Sequence, residues 1–340
     1  MKPELSERLF IEELFNKSKV NLENKSLELQ SIERLTGDAS TRRYYRLFTS
    51  TDTFVVCIDN PTEDEFNSFV RMQEFLSKNN IRVPKILDQN LQKGYLLEED
   101  LGDTTFLKHL ATIDSVDAEL DQYSKAIDSL IKMHLIKIDS STLKKIPLSF
   151  DYDKLISEME FTDKFFVKKF LKVEDERTSR NLINFFSPIC NRLSQEKMVF
   201  THRDFHSRNI MIKDDEQVII DFQDARMGIP QYDLVSVLED CYYDISRNNK
   251  YKLIKYYFDS ISNDIHGQGD FDSFMKLYND MTLQRVFKAI GSFAYIYELR
   301  QDVRYIKYIG HAMEKLKKVM ISDSRYDDLR KLLFGIYYES

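Results

Sequence analysis

No stretch of the chain is apolar for long enough to span a membrane, and Met1 to Phe10 carries charges where a secretory leader would be apolar. A basic excess is missing too. With a net charge of −7 the surface is ill suited to a phosphate backbone, so nucleic acid is excluded as the expected partner. Cysteine is scarce: Cys57, Cys190 and Cys241 stand far apart with no Cys-x-x-Cys spacing, and offer neither a disulfide framework nor a zinc site. That usage fits a reducing cytoplasm. No internal repeat, low-complexity tract or long polar linker interrupts the sequence.

What is present is enough for a large core: 340 residues, 42% hydrophobic and 31% charged. Helical spacing over Leu5 to Lys17 gives an apolar face of Leu9, Phe10, Leu14 and Phe15. Alternation then predicts strands at Leu27–Leu35, Arg43–Phe48 and Thr53–Ile58, a helix over Glu63–Lys78, and strands near Val83–Leu87 and Gly94–Leu97. Beyond Asp103 helical patterns dominate. They are interrupted by short apolar runs at Met198–Thr201, Ile210–Ile212 and Gln217–Ile220. The expectation is an α+β chain, with residues 1–102 forming a small β-rich lobe with one main helix and 103–340 a mostly helical lobe.

The chemistry is concentrated in His202-Arg-Asp-Phe-His-Ser-Arg-Asn209, followed by Val218-Ile-Ile-Asp221-Phe-Gln-Asp224. The first segment joins two short strands, so Asp204 and Asn209 share a loop; Asp221 ends a strand. Phosphoryl transfer needs a carboxylate near the acceptor hydroxyl and oxygen ligands for the magnesium that bridges the phosphates. Asp204 suits the first task, Asn209 and Asp221 the second. Order and spacing fit the protein-kinase signature H-R-D-x-x-x-x-N followed by Asp-Phe, which implies a protein-kinase-like bilobal fold. His202 and Arg203 read as braces of the loop. Asp224 suits a metal water, Arg226 or a turn cap; His206 and Arg208 face either the acceptor or solvent. Asp233 reads as a helix cap or as an anchor beneath the loop.

The turn Thr36-Gly37-Asp38-Ala39-Ser40-Thr41, between the first two strands, could turn backbone N–H groups toward phosphates. Where kinases keep a third-strand lysine, this chain reads Val56-Cys-Ile-Asp59. The nearest cations are Arg43 and Arg46 on the adjacent strand, and Arg43 is preferred.

The short interval between Asp224 and Gly228-Ile-Pro-Gln-Tyr-Asp-Leu leaves no room for a peptide-docking activation segment. In this the chain resembles the aminoglycoside phosphotransferase and choline kinase superfamily more than protein kinases. Within it, four segments are similar to the bacterial N-acetylmuramate/N-acetylglucosamine kinases: Gly37-Asp-Ala-Ser-Thr-Arg-Arg-Tyr-Tyr-Arg46, Ile58-Asp-Asn-Pro61, Ile220-Asp-Phe-Gln-Asp-Ala225 and Gln284-Arg-Val-Phe-Lys-Ala-Ile-Gly-Ser-Phe-Ala294. The likeness runs from about Ile32 to Leu316. It implies ATP and Mg²⁺, adenine against the backbone of Glu98, Glu99 and Leu101, and transfer to the anomeric hydroxyl of an amino sugar in cell-wall recycling. That family itself carries Asp in place of the strand lysine. Arg208, Asp240, Arg285 and Lys288 become candidate acceptor contacts, the last two sharing one helix face. Two other readings stand beside this one: a kinase of another small alcohol (aminoglycoside, choline or homoserine type), and a catalytically silent nucleotide- or partner-binding module. Oligomeric state has no signature in the sequence.

Overall fold

The alternation between Leu29 and Ile58 and the helical spacing after Phe106 both take shape in the computed structural model, which describes residues 4–19, 22, 27–35, 42–62, 67–140, 143, 146–261 and 269–339. In chain order the elements are α1 (Leu5–Ser18), β1 (Leu29–Arg34), β2 (Arg43–Thr49), β3 (Thr53–Ile58), α2 (Ser68–Lys78), β4 (Ile86–Asn90) and β5 (Tyr95–Glu99). Next come α3 (Phe106–Leu110), α4 (Val116–His134), α5 (Tyr152–Thr162), α6 (Glu176–Ser194), β6 (Val199–Thr201), β7 (Ile210–Lys213), β8 (Glu216–Ile219) and β9 (Arg226–Gly228). Helices α7 (Gln231–Leu238), α8 (Arg247–Ile261), α9 (Phe271–Arg300), α10 (Ile306–Ser322) and α11 (Asp327–Glu339) follow. The fold is α+β and kinase-like, with a β-rich N-terminal part and a helical C-terminal part. No helix among the described residues is long and apolar enough to cross a membrane.

Contacts divide the chain into two units, Met1–Thr105 with Ile210–Gln223, and Phe106–Asn209 with Asp224–Ser340. The β7–β8 hairpin, expected with residues 103–340, therefore groups with the first unit. Backbone bonds tie it there: Ile219 N–H donates to the Arg82 carbonyl (2.9 Å) and Ile212 N–H to that of Thr104 (2.8 Å).

In the first unit five antiparallel strands run in the order β1-β2-β3-β5-β4. Register sets Tyr45 opposite Val56 and Val56 opposite Leu97, so one face is apolar. Helix α1 covers that face with Ile11, Leu14 and Phe15. Its buried stripe also includes Ser18, while the expected Leu9 is exposed. The opposite face carries Tyr44, Arg46, Val55, Cys57, Leu96 and Glu98, by the same alternation. Asn67 caps α2 by accepting from Phe69 N–H and Val70 N–H. The acids Glu63, Asp64 and Glu65, which compete in the sequence for the role of the carboxylate that kinases carry on the helix of the small lobe, lie outside the described residues.

The second unit is built around α9, which packs on α5, α6, α7 and α10. A π-helical stretch, Asp163–Phe170, continues α5. Where α9 crosses the end of α5, Gly291 leaves room for Thr162: a Cβ there would collide with the Thr162 hydroxyl and stand 2.8 Å from its Cα. Gly291→Ala is expected to destabilise the protein by ~1–3 kcal/mol through this overpacking, read as a lower urea midpoint at unchanged m. An unchanged midpoint would mean that the helices part there without strain. All three cysteines are buried and free.

Candidate active site

Strand β6 delivers the chain into the loop His202–Asn209, and β9, missed in the sequence, pairs with it antiparallel. The loop starts in an unusual conformation, since Arg203 has φ +82°. A buried carboxylate compensates: Asp233 of α7 accepts from His202 N–H (2.6 Å) and Arg203 N–H (2.9 Å), with His134 Nε2 at 3.4 Å. Of the two roles expected for Asp233, the anchor is the one observed, because α7 starts at Pro230 without a side-chain cap. Further along, His206 N–H (3.1 Å) and the Asn209 side-chain amide (3.0 Å) both donate to the Asp204 carbonyl. His202 is buried and accepts from Asp204 N–H through Nδ1 (3.3 Å).

Asp204 lines an open depression together with His206, Asp240, Tyr242, Arg285, Lys288 and Phe293 among others. Arg285 Nη2 (3.2 Å) and Lys288 Nζ (3.5 Å) converge on its Oδ1, and Arg203 Nε stands 3.6 Å from Oδ2. Burial alone would raise its pKa, but Lys288, then Arg285, Arg203 and His206, hold it well below the ordinary carboxylate range. Lys288 is shifted down by burial and by neighbouring Arg285, against the pull of Asp204 and Glu158. Ser236 accepts from Arg285 Nε at 3.0 Å and fixes the guanidinium.

The remaining candidates divide. Asp240 lines the depression, yet both its oxygens are engaged: Oδ2 accepts from the N–H and hydroxyl of Ser207, and Oδ1 from Tyr242 N–H. It braces the loop from below. The Arg208 guanidinium lies over the rings of Tyr242 (5.0 Å) and Tyr305 (5.7 Å). Asp224 pairs with Arg203 Nη1 at 2.9 Å. Tyr242 and Phe293 had no functional signal in the sequence, because aromatics at helical spacing read as core.

In the first unit Asp221 lies just past β8 with φ +65°, a costly conformation for a residue with a Cβ. Phe222 beside it is buried and stacks on Phe69 of α2, with centroids 5.0 Å apart. After β5, no hydrogen bond among the described residues reaches the Leu101 backbone. The Glu99 carboxylate accepts from Arg82 and from Lys85 N–H. Glu98 is buried on the sheet face opposite α1, and burial pushes its pKa up to about 8 against the charge of Arg42. Gly37, Asp38, Ala39, Ser40 and Thr41 lie outside the described residues.

The preference for Arg43 needs correction. Opposite Ile58, it shares the α1 face and pairs with Glu7 at 2.9 Å. Arg46 is on the other face but is held by Asp100 (2.8 Å) and Asp103 (3.0 Å).

No cluster of three or more His, Cys, Asp or Glu among the described residues could hold a metal. Asn209, in the second unit, and Asp221, in the first, are each hard oxygen donors of the kind Mg²⁺ takes, and the Asp221 carboxylate also accepts from the Gln223 amide at 2.7 Å. The Asn209 amide donates to the Asp204 carbonyl through Nδ2, which assigns its oxygen as the head for a cation.

The chain is also similar to known proteins. The profile of the Phosphotransferase enzyme family matches residues 31–259. The N-acetylmuramate/N-acetylglucosamine kinase of Neisseria meningitidis serogroup B is 28% identical over 299 residues, covering 87% of this chain and 86% of that protein. The protein of the same name from Pseudomonas aeruginosa is 27% identical over 308 residues, covering 88% and 87%. Among solved structures, the streptomycin-ATP-APH(2'')-IIa ternary complex has a TM-score of 0.59 at 18% identity, covering 92% of this chain and 97% of that one, a likeness of fold. Because the matched span exceeds half of the 340 residues, the chain belongs to the phosphotransferase enzyme family.

Proposed function

We propose that this protein transfers the γ-phosphoryl group of ATP to the anomeric hydroxyl of an amino sugar, N-acetylmuramate or N-acetylglucosamine. The observation that carries the reading is the Asp204 carboxylate in the lining of an open depression, fixed by three cations. The named activity of the two relatives supplies the acceptor, and the ATP in the aminoglycoside complex of like fold supports the donor.

In this mechanism Asp204 accepts a hydrogen bond from the acceptor hydroxyl and aims its oxygen at the γ-phosphorus. A carboxylate with so low a pKa is a weak base, so it orients the hydroxyl early and takes the proton only as the oxygen–phosphorus bond forms. Asn209 and Asp221 are the residues that would hold the metal, and the backbone of Glu98, Glu99 and Leu101 would meet adenine. Mg²⁺, when bound, offsets the negative charge of the phosphates. Tyr242 and Phe293 give the depression an apolar wall suited to the C–H face of a pyranose.

ADP release measured with a panel of acceptors tests the proposal. The two amino sugars should exceed streptomycin, choline and ethanolamine in kcat/KM by ~10-fold or more. ADP release with choline or an aminoglycoside alone would reassign the acceptor, and none with any acceptor would favour the silent module.

A further inference from the structure

The depression beside Asp204 lies wholly within the second unit, and α9 lines it with Arg285, Lys288, Ala289, Ser292 and Phe293, a stripe at helical spacing. Two of these residues are cations, and they are held differently. Arg285 is fixed three times over: Nε donates to Ser236, Nη2 to Asp204, and the guanidinium lies 5.5 Å over the Tyr232 ring. The Lys288 ammonium carries three donors. Its one hydrogen-bond acceptor among the described residues is Asp204 Oδ1, at 3.5 Å, and Arg285 already donates to that oxygen.

A second observation concerns charge. The other acids nearby are committed: Asp224 pairs with Arg203 at 2.9 Å, and Glu158 pairs with Lys154 at 3.2 Å and accepts from Gln284 at 3.0 Å. In the lining itself, Asp240 has both oxygens engaged, and Glu239 accepts from Lys250 and Tyr278. Arg285 and Lys288 therefore face one carboxylate between them, in a wall where the Lys288 side chain is only 14% exposed. The imbalance is felt by Lys288, whose pKa is pushed down by burial and by Arg285. An anion entering the depression would relieve it.

We infer that Lys288 is the contact for a carboxylate on the acceptor, the lactyl group of N-acetylmuramate, while Asp204 holds the anomeric hydroxyl. This rests on the sugar-kinase reading above and adds that the acidic sugar is the better bound of the two, N-acetylglucosamine lacking the contact. Along the α9 stripe Lys288 comes between Arg285, which holds Asp204, and Phe293 of the apolar wall. Hydroxyl, carboxylate and ring face are thus served in turn by one helix. An ammonium on a flexible stem can follow a lactyl group that rotates about its ether bond, which a planar, fixed guanidinium cannot.

Calorimetry on the full chain, with ADP and Mg²⁺ present, tests this with three ligands: N-acetylmuramate, its carboxamide and N-acetylglucosamine. The first two share a shape and differ in charge, so the ratio of their affinities is the readout. Wild type should bind the acid ~10-fold or more tightly than the amide. Lys288→Met, which keeps the length of the stem, should bring that ratio to within ~2-fold of unity. Should Lys288→Met not fold, Lys288→Gln gives the same reading. A wild-type ratio near unity would overturn the inference whatever the variants do. So would a ratio kept in the variant; with all three ligands weakened equally, Lys288 would serve Asp204 alone. Wild type that binds none of the three would overturn the sugar reading itself, which separates the two failures.

Discussion

Asp204→Asn is expected to lower kcat by ~10²–10⁴-fold while leaving nucleotide affinity nearly unchanged, with a lower melting temperature because Arg285, Lys288 and Arg203 lose their counter-charge. The amide occupies the same volume and still accepts from Arg285, so the loop keeps its shape. What it loses is the negative charge that holds the acceptor hydroxyl and later takes its proton. The same charge makes a pH prediction. Since Lys288, Arg285 and Arg203 hold Asp204 below the ordinary carboxylate value, the carboxylate stays ionised through mildly acid solution. Its contribution to stability is present above the unfolded value of ~4 and is lost only as pH falls through the lower folded value. Wild-type kcat should therefore show no Asp204 limb between about pH 5 and 7. Lys288→Met removes the strongest of the lowering charges and should move the acid limb upward. A limb that stays put would show that Lys288 does not set the state of Asp204. An Asp204→Asn protein that turns over within a few-fold of wild type would remove the residue from the mechanism.

The second large effect is structural. Asp233→Ala should cost ~3–5 kcal/mol, because it strips the acceptor from two buried backbone N–H groups at a residue with positive φ. The loss should appear as a lower urea midpoint together with a collapse in kcat, since Arg203 and Asp204 follow directly on the anchored peptide. Asp233→Asn, which retains one oxygen acceptor, should lose less of both. Stability within ~1 kcal/mol of wild type in Asp233→Ala would mean that the loop is held chiefly by Asp240 and Ser207.

Much of this was legible in the residues. Strand β3 begins and ends where its alternation predicts, and His202–Asn209 forms the loop its spacing requires. The choice between Arg43 and Arg46 was not legible: alternation says which residues share a face, but only the docking of α1 says which face is covered. The three-residue β9 is too short for its period to register, and it exists because β6 supplies its partner. Arg285 and Lys288 were expected on one helix face, and they are. That their common target is Asp204 depends on how α9 crosses the loop, a long-range contact with no local signal. The missing strand lysine was the feature that favoured a silent module, and the sheet face away from α1 carries Arg42 and Arg46 as its cations.

The measurement that bears most directly on the account is proton-coupled phosphorus NMR of the product formed from ATP and N-acetylglucosamine, repeated with N-acetylmuramate. The account predicts, for each sugar, one new phosphomonoester resonance split by the anomeric proton H1, absent when Asp204→Asn replaces the wild-type protein. A resonance coupled to the C6 protons, or no sugar phosphate from either acceptor, would contradict it.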